Sequence, residues 1–351
     1  MKRSVFFALV ALTALALGLA LLLSQPDVDP GLDESQALVP GLREQVNDIE
    51  RLEIRNGSED AIRLRRSDER WRVENAQDYE ADFERVYQLL RDLAAGSRAE
   101  QRTANPEWHD RLGVAGARPG ETEAERSFEV SFPGTDLPAL IIGRAGPSGQ
   151  ARFVRLTGED QVWLTDRDLS VPAESIDWLQ RAIMDIPSSE LSEVTLRQAD
   201  GGVVQLRAAD ETSNQWVLMN VPDGREAAPA WQLTSTASAL SSLQLDDVRR
   251  HESAPEDAGA ALFVTRDGLN FVATLFEDGA GSWVNFSVSA EVGASEEGEQ
   301  MSDEAASASA DAAAVDARLS PWDFKVPSAK YELMTRSLED FLVDPDENES
   351  D

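Results

Sequence analysis

Short runs of alternating apolar and polar residues recur along the chain from about residue 49 onward. The runs IERLEIR and AIRLRR alternate in this way, and RWRV follows them closely. A strand with one buried face shows this period of two, because successive side chains point to opposite sides. The pattern therefore predicts a β-hairpin and a third short strand within residues 49–73.

A helical pattern follows, in which apolar residues return every three or four positions over residues 82–95. Phe83, Leu90 and Leu93 lie on one predicted face, and Gly96 stands where a C-terminal cap is expected. Strand candidates come next, with the sequences FEVSF, ALIIG, RFVRL and QVWLT. The predicted order is hairpin, short strand, helix and several further strands.

The same order of elements returns after residue 189. SEVTLR and VVQLR match the first hairpin, and Trp216 takes the position of Trp71. The leucines of the second helical pattern keep the spacing of the apolar residues in the first, and LFVTRD, FVATLFED and WVNFSVS supply later strands. We therefore predict an α+β fold, an internally duplicated unit of β-hairpin, strand, helix and further antiparallel strands, preceded by one transmembrane helix.

Two tryptophans and four helical residues form the predicted structural core signature. Each tryptophan follows a hairpin and precedes a helix, so we expect it to pack between sheet and helix, because large aromatic side chains dominate core burial. Stacking on a ligand is the alternative role. The signature residues are Trp71, Trp216, Phe83, Leu90, Leu233 and Leu240.

The first segment of the chain is mostly apolar and carries no charge after its third residue. Residues 4–23, from Ser4 to Leu23, carry no charge, and Lys2 and Arg3 precede them. About twenty helical residues span a bilayer core of about 30 Å, and basic residues stay on the cytoplasmic side. The pattern predicts a membrane anchor over residues 1–24 rather than a cleaved signal peptide, whose apolar region is shorter. The expected location is the bacterial inner membrane, single-pass, with a cytoplasmic N-terminus and a periplasmic bulk.

Composition sets the remaining boundaries. Residues 25–47 are punctuated by Pro, Asp and Gly and predict a tether. The first repeat is assigned to residues 48–188 and the second to residues 189–343. Within the second repeat, residues 290–318 are rich in Ala, Ser, Glu and Asp without an apolar period, which predicts a disordered acidic insertion. Residues 344–351 form an acidic tail.

The charge and cysteine content exclude several classes of partner. The chain has 65 acidic and 32 basic residues and a net charge of −33, whereas binding to nucleic acid needs clustered Lys and Arg. No nucleic-acid partner is expected. The absence of cysteine excludes disulfides and thiolate metal sites.

Side chains for catalysis are sparse. His109 and His251 are the two histidines, and no G-x-S-x-G sequence accompanies the His109–Asp110 pair. A hydrolase acting through His109 or a carboxylate pair is the least favoured interpretation. No nucleotide-binding loop occurs, and two acidic runs lack the glycine and glutamate of a calcium loop. We therefore predict no enzyme activity, no cofactor and no metal.

The order of these motifs resembles the bacterial domain of unknown function 4340 (DUF4340) family. The resemblance covers nearly the whole chain apart from the tether, insertion and tail, and it rests on IERLEIRNGSEDAIRLRRSDERWRV, ADFERVYQLLRDL, RLGV, LIIGRAGPSGQARFVRLTGEDQVWLT, DWLQRAIMDIPSSELSEVTL and WDFKVPSAKYELMTRSLEDFL. It implies a non-enzymatic, periplasm-facing accessory subunit of an ABC-2-type, gliding-motility-like export system that docks on permease or ATPase subunits. The alternative is a cell-envelope glycan- or peptide-binding module using a groove between the two repeats.

Overall fold

The structure is a computed structural model, and it describes residues 36–58, 60–119, 127–210, 214–279, 281–290 and 303–343. Two compact units are present. Unit 1 combines residues up to 68 with 84–173, and unit 2 combines 69–83 with 174–351. The short segment 69–83 therefore belongs to the unit that holds the second half of the chain.

Nine strands form the first sheet. They are β1 (Arg51–Arg55), β2 (Ile62–Ser67), β3 (Arg70–Val73), β4 (Tyr79–Glu80), β5 (Arg98–Gln101), β6 (Phe128–Ser131), β7 (Leu140–Ala145), β8 (Arg152–Leu156) and β9 (Trp163–Thr165). Their order is β4-β3-β2-β1-β6-β7-β8-β9-β5. In the β1–β2 hairpin, Leu52 lies opposite Leu64 and Ile54 opposite Ile62, and all four are buried. The alternating pattern thus places one apolar face of the hairpin against the core.

Ten strands follow in the second half of the described chain. They are β10 (Ala182–Met184), β11 (Leu191–Arg197), β12 (Val203–Ala208), β13 (Trp216–Leu218), β14 (Leu243–Gln244), β15 (Asp247–Arg250), β16 (Gly259–Thr265), β17 (Leu269–Asp278), β18 (Gly281–Ala290) and β19 (Trp322–Lys325). Eight of them form a sheet in the order β13-β12-β11-β16-β17-β18-β19-β15, and β10 pairs with β14. The strands β17 and β18 pair along ten residues each, so this hairpin is the longest ladder among the described residues.

The described part of the chain also contains six α-helices. They are α1 (Leu42–Gln45), α2 (Phe83–Ala95), α3 (His109–Leu112), α4 (Ala230–Ala237), α5 (Asp303–Leu319) and α6 (Ser328–Thr335). The helix α2 buries Val86, Leu89, Leu90 and Leu93, which recur at the helical spacing of three and four. The helix α6 buries Tyr331 and Met334 in the same way.

The two large sheets share one strand order. Each order is given from the strand that follows the hairpin, β3 or β13. The first sheet runs β3-β2-β1-β6-β7-β8-β9-β5, and the second runs β13-β12-β11-β16-β17-β18-β19-β15. In the first sheet, β5 is the first strand after the helix α2, and it lies at the end of this order. In the second sheet, β15 is the first strand after the helix α4 that joins the sheet, and it also lies at the end of the order. Trp71 on β3 and Trp216 on β13 therefore occupy the same position.

The predicted fold class needs correction. The described chain is mostly antiparallel β-sheet, in three sheets, with some helices. No helix among the described residues is long and apolar enough to cross a membrane. The longest of them, α5, has 17 residues and carries aspartates within its length. Alternating and helical spacings predicted individual strands and helices. The fraction of the chain in β-sheet depends on how the strands pair, which these local patterns do not contain.

The predicted location is corrected with the fold class. A single-pass inner-membrane protein with a periplasmic bulk depended on the anchor at residues 4–23, which lie outside the described residues. With no membrane-crossing helix in the part of the chain that the structure describes, that prediction has no support.

Two predicted unstructured segments contain ordered structure. The tether prediction, residues 25–47, is wrong near its end, because Leu38, Val39 and Leu42 are buried and Ala37 pairs with Ser97. These apolar residues are too few to show a period in the sequence. The tail, residues 344–351, lies outside the described residues.

The predicted disordered insertion, residues 290–318, is wrong from Asp303 onward, where α5 begins. Alanine has the highest helix propensity, so an Ala-rich acidic run forms a helix once one side is covered. The helix packs on β18, buries Ala312, and accepts the Val288 backbone N–H at Asp316 Oδ1 (2.8 Å). It thereby covers the part of β18 beyond its pairing with β19 at residues 283–285. Residues 291–302 lie outside the described residues.

Candidate functional site

A cluster of charged and aromatic side chains lies at the β15 edge of the second sheet. The pairing of β15 with β19 places Arg249 directly opposite Asp323. Asp323 is buried although it carries a carboxylate, and it lies between Trp322 and Phe324 in sequence. A buried carboxylate is stable only with partners, so the surroundings of Asp323 define the candidate site.

The partners of Asp323 come from β15 and the residue after it. Arg249 Nε donates to Asp323 Oδ2 at 3.3 Å, and His251 Nδ1 lies 2.6 Å from Asp323 Oδ1. The guanidinium of Arg249 also binds Asp278 Oδ2 through Nη1 at 2.6 Å. Trp283 Nε1 donates to the other oxygen of Asp278 at 3.0 Å, and Arg249 Cζ lies 4.0 Å from the Trp283 ring centroid. One arginine thus joins two carboxylates and one aromatic ring.

The electrostatics of this cluster favour the ion pairs. Burial alone would lower the pKa of Arg249, but hydrogen bonds to Asp278 and Asp323, together with their charges, outweigh burial and raise the pKa of Arg249. The guanidinium therefore stays charged over the whole physiological range, and it can hold β15 and β19 together at the sheet edge.

The chemistry that this cluster can perform is limited by what faces His251. A carboxylate on one imidazole nitrogen and a nucleophile on the other is the arrangement of a catalytic triad. Among the described residues, no hydroxyl group hydrogen-bonds to Nε2 of His251. The arrangement therefore fits a structural network of ion pairs that holds the edge strand β15 against the sheet. The absence of enzyme activity stays a prediction.

The other histidine, His109, is the first residue of α3 and is buried. Its Nε2 lies 2.9 Å from the carbonyl oxygen of Asp160. Asp110 pairs with Arg118 at 2.7 Å instead of orienting the imidazole. The structure therefore does not bring the His109–Asp110 pair together as a dyad. No group of three or more His, Asp or Glu side chains that could hold a metal occurs within the described ranges.

Five of the six predicted core residues are buried. Trp71 is 5% exposed and Trp216 is 3% exposed, and Leu90, Leu233 and Leu240 are also buried. The sixth, Phe83, is corrected, because it is 56% exposed. It is the first residue of α2, where the buried stripe of the helix has not yet begun, so the helical spacing alone placed it on the wrong side.

Leu240 is buried outside the helix in which its spacing predicted it. The helix α4 ends at Ala237, and Leu240 lies in the turn that follows. Lys330 closes this turn, since its Nζ donates to Ser238 O at 3.0 Å and to Ser241 O at 2.6 Å. The turn is thus fixed by a cation from α6 rather than by a continued helix.

The edge strand β13 carries a second candidate site. It ends the order of the second sheet, and Met219 continues its pairing by donating a backbone N–H to Gln205 O at 2.8 Å. Val217 is 47% exposed and Met219 is 50% exposed, and residues two apart in a strand share a face. Edge strands usually carry charge that prevents association, so exposed apolar side chains here indicate a contact surface.

Sequence reasoning missed both sites. The signal for the first is an aspartate within the apolar strand WDFK, since a charge flanked by two aromatics predicts a buried ion pair. The partners of this aspartate, Arg249 and His251, come from β15 and the residue after it and carry no local signal. The signal for the second is the run of four apolar residues WVLM, which is more than one buried strand face needs, but only the sheet order shows that β13 is an edge.

Residues 71–261, more than half of the chain, match the family described as Domain of unknown function (DUF4340). The chain belongs to this family. No curated protein matches the chain. No solved structure matches it either.

Proposed function

We propose that the protein is a non-enzymatic accessory component of an ABC-2-type, gliding-motility-like export system and that it acts by protein–protein docking. The family resemblance supplies the class of partner, namely the permease or ATPase subunits of such a system. The observation that carries the docking part of the proposal is the exposed apolar edge of β13.

The docking surface is the β13 edge, which we define as Val217, Met219 and the outer backbone of the strand. A partner segment can add to such an edge as an extra strand, with backbone hydrogen bonds for affinity and alternate side chains for specificity. The net charge of −33 favours a partner segment flanked by basic residues. The proposed occupant is therefore an extended apolar segment of a transporter subunit with basic flanks.

The test is a crosslinked pull-down of the full-length protein from its own cells, with partners identified by mass spectrometry. Three chains are compared: the natural chain, Val217→Lys, and the control Trp108→Lys. Trp108 is 45% exposed and Val217 47%, but Trp108 lies in a 3-10 turn and not on an edge strand. Each variant adds one positive charge to an exposed apolar site.

We expect an ABC permease and its ATPase to be enriched with the natural chain and with the Trp108 variant, and to be lost with the Val217 variant. Equal enrichment with Val217→Lys would remove the β13 edge from the proposal. Failure of the natural chain to enrich any transporter subunit would contradict the proposed partner class.

A further inference from the structure

An open cavity in unit 2 has an unusual charge. Its volume is about 250 Å³, and its lining includes Arg70, Arg72, Arg318 and a single acid, Glu80. The chain as a whole carries 65 acids against 32 bases, so composition alone would give a lining with about two acids for each base. Three arginines against one glutamate reverse that ratio at this place.

The arginines reach the cavity from two different elements. Arg70 and Arg72 stand two apart on β3 and therefore share one face, while Trp71 and Val73 between and after them are buried. Arg318 comes from the last turn of α5. Because the two elements are held in one unit, the positive charges converge without any rearrangement of the backbone.

Hydrogen bonds to the protein fix the guanidinium groups of Arg72 and Arg318, and Arg70 forms an ion pair. Arg72 Nη1 donates to Asp78 O at 3.1 Å, and Arg318 Nη1 donates to Ile183 O at 2.9 Å. Arg70 Nη1 lies 3.6 Å from Glu80 Oε2. A guanidinium has five N–H donors in a planar fork, so one anchored donor leaves others for a ligand. Anchoring also reduces the entropy that a ligand would have to overcome.

Aromatic and small side chains complete the lining. Tyr79 and Trp322 pack edge to face with ring centroids 4.9 Å apart, and both line the cavity. Burial raises the pKa of Tyr79, although the charge of Arg318 opposes this, so the phenol is neutral and keeps its proton. Ala314 and Ala317 on α5 face the cavity and leave its volume unfilled.

We propose that this cavity binds the oxyanion group of a small ligand, either a carboxylate or a phosphate. Planar arginine forks match both groups, which accept paired hydrogen bonds. Pockets for drug-sized ligands measure about 300–1,000 Å³, so a smaller cavity fits one small anion or the anionic end of a larger molecule. The strongly negative chain repels anions elsewhere, which restricts binding to this site. The inference does not rest on the proposed docking function, because the cavity and the β13 edge share no residue.

Isothermal titration calorimetry on the full chain tests the proposal with inorganic phosphate and with glutarate as probes. Each is compared with chloride at equal ionic strength. The variants are Arg70→Gln and Arg318→Gln, with Arg207→Gln as the matched control. The Arg70 side chain is 62% exposed and that of Arg207 57%, and each has a glutamate partner, but Arg207 lies on β12 outside the cavity.

We expect saturable binding of at least one probe, weakened about tenfold or more by Arg70→Gln and by Arg318→Gln and changed less than about twofold by Arg207→Gln. Phosphate binding without glutarate binding would identify a phosphate ligand, and the reverse would identify a carboxylate. No saturable binding beyond that of chloride, or equal weakening by the control, would overturn the proposal. Since Arg70 is exposed, its variant is expected to fold even where Arg318→Gln does not, which thermal unfolding of each variant checks.

Discussion

The strands β3 and β13 occupy one position in two sheets of the same order, but they present different chemistry to the outside. Trp71 and Trp216 are both buried. The next residue is Arg72 in one strand, where it lines the cationic cavity, and Val217 in the other, where it is 47% exposed. The strand β4 lies beyond β3, whereas β13 ends its sheet. The shared order therefore constrains the inward residue and leaves the outward residue to differ.

The strands β5 and β15, which lie at the ends of the two sheet orders, each carry an arginine that packs on an aromatic ring. On β5, Arg98 is buried, donates to Ala37 O at 2.9 Å, and lies 5.4 Å from the Trp163 centroid. Its carboxylate partner, Glu159, is 49% exposed. On β15, Arg249 is the half-exposed member and its partner Asp323 is the buried one. The two edges thus bury opposite members of an ion pair.

The comparison of the two tryptophans makes the largest prediction. Trp71→Ala and Trp216→Ala should each lower the free energy of unfolding by about 3–5 kcal/mol, because each leaves a cavity where a large aromatic was buried. Urea unfolding followed by circular dichroism measures both losses. Phe83→Ala is the control and should change stability by about 0.5 kcal/mol or less, because its side chain is mostly exposed. If one tryptophan variant loses less than half as much free energy of unfolding as the other, the two positions are not equivalent.

The comparison of the two ion pairs predicts an intermediate effect. Asp323→Ala should lower the free energy of unfolding by about 2 kcal/mol, because Arg249 and His251 lose a buried acceptor, while Arg249 keeps Asp278. Glu159→Ala should cost about 0.5 kcal/mol or less, because Glu159 is itself half exposed and Arg98 keeps its hydrogen bond to Ala37 O. The same urea titration measures both, and equal losses would show that burial of the acid does not distinguish the two edges.

The smallest prediction concerns acid sensitivity at the end of β9. Burial would raise the pKa of Asp166, but hydrogen bonds from Arg167 and from the Ser97 backbone outweigh it and hold the pKa of Asp166 below its usual value. A lowered pKa in the folded state contributes stability above the unfolded pKa of about 3.9, and this contribution is lost as pH falls through the folded pKa.

The urea midpoint of unfolding falls as the pH is lowered from about 5 to about 2. We expect it to fall less in Asp166→Asn than in the natural chain. The effect is small because Asp166 is partly solvated, which screens its interactions. Asp136→Asn serves as the control at a residue with no carboxylate hydrogen bond among those described. If both variants follow the natural chain, Asp166 does not contribute to the acid transition.

Local patterns predicted most strands and the helix α2, because alternation and helical spacing are properties of neighbouring residues. The run RFVRL became β8 with the expected bounds, and the helix predicted over 82–95 begins at Phe83. The strand β5 was missed, because RAEQ has one buried residue and no apolar alternation. The apolar residues from Tyr331 to Phe341 recur at helical spacing, but α6 ends at Thr335 and a 3-10 turn (Glu339–Phe341) follows.

The candidate sites could not be predicted from local sequence patterns, because their residues meet only in the folded chain. Asp323 meets Arg249 only because β19 lies beside β15, and Arg318 meets Arg72 only because α5 ends near the β3–β4 hairpin. Such meetings depend on sheet order and long-range packing, which no window of sequence contains. The sequence does contain the duplicated order of motifs, and the shared strand order of the two large sheets was found by pairing strands.

The contact of α5 with β18 has a consequence for handling the protein. Beyond residue 285, β18 has no β19 partner, and Asp316 takes up the Val288 N–H that would otherwise be open to a neighbouring molecule. An uncovered strand with alternating Phe and Val is a template for intermolecular strand pairing. A shortened chain without α5 would therefore expose an aggregation-prone edge, and the acidic helix acts as a built-in solubility element for the longest hairpin of the described fold.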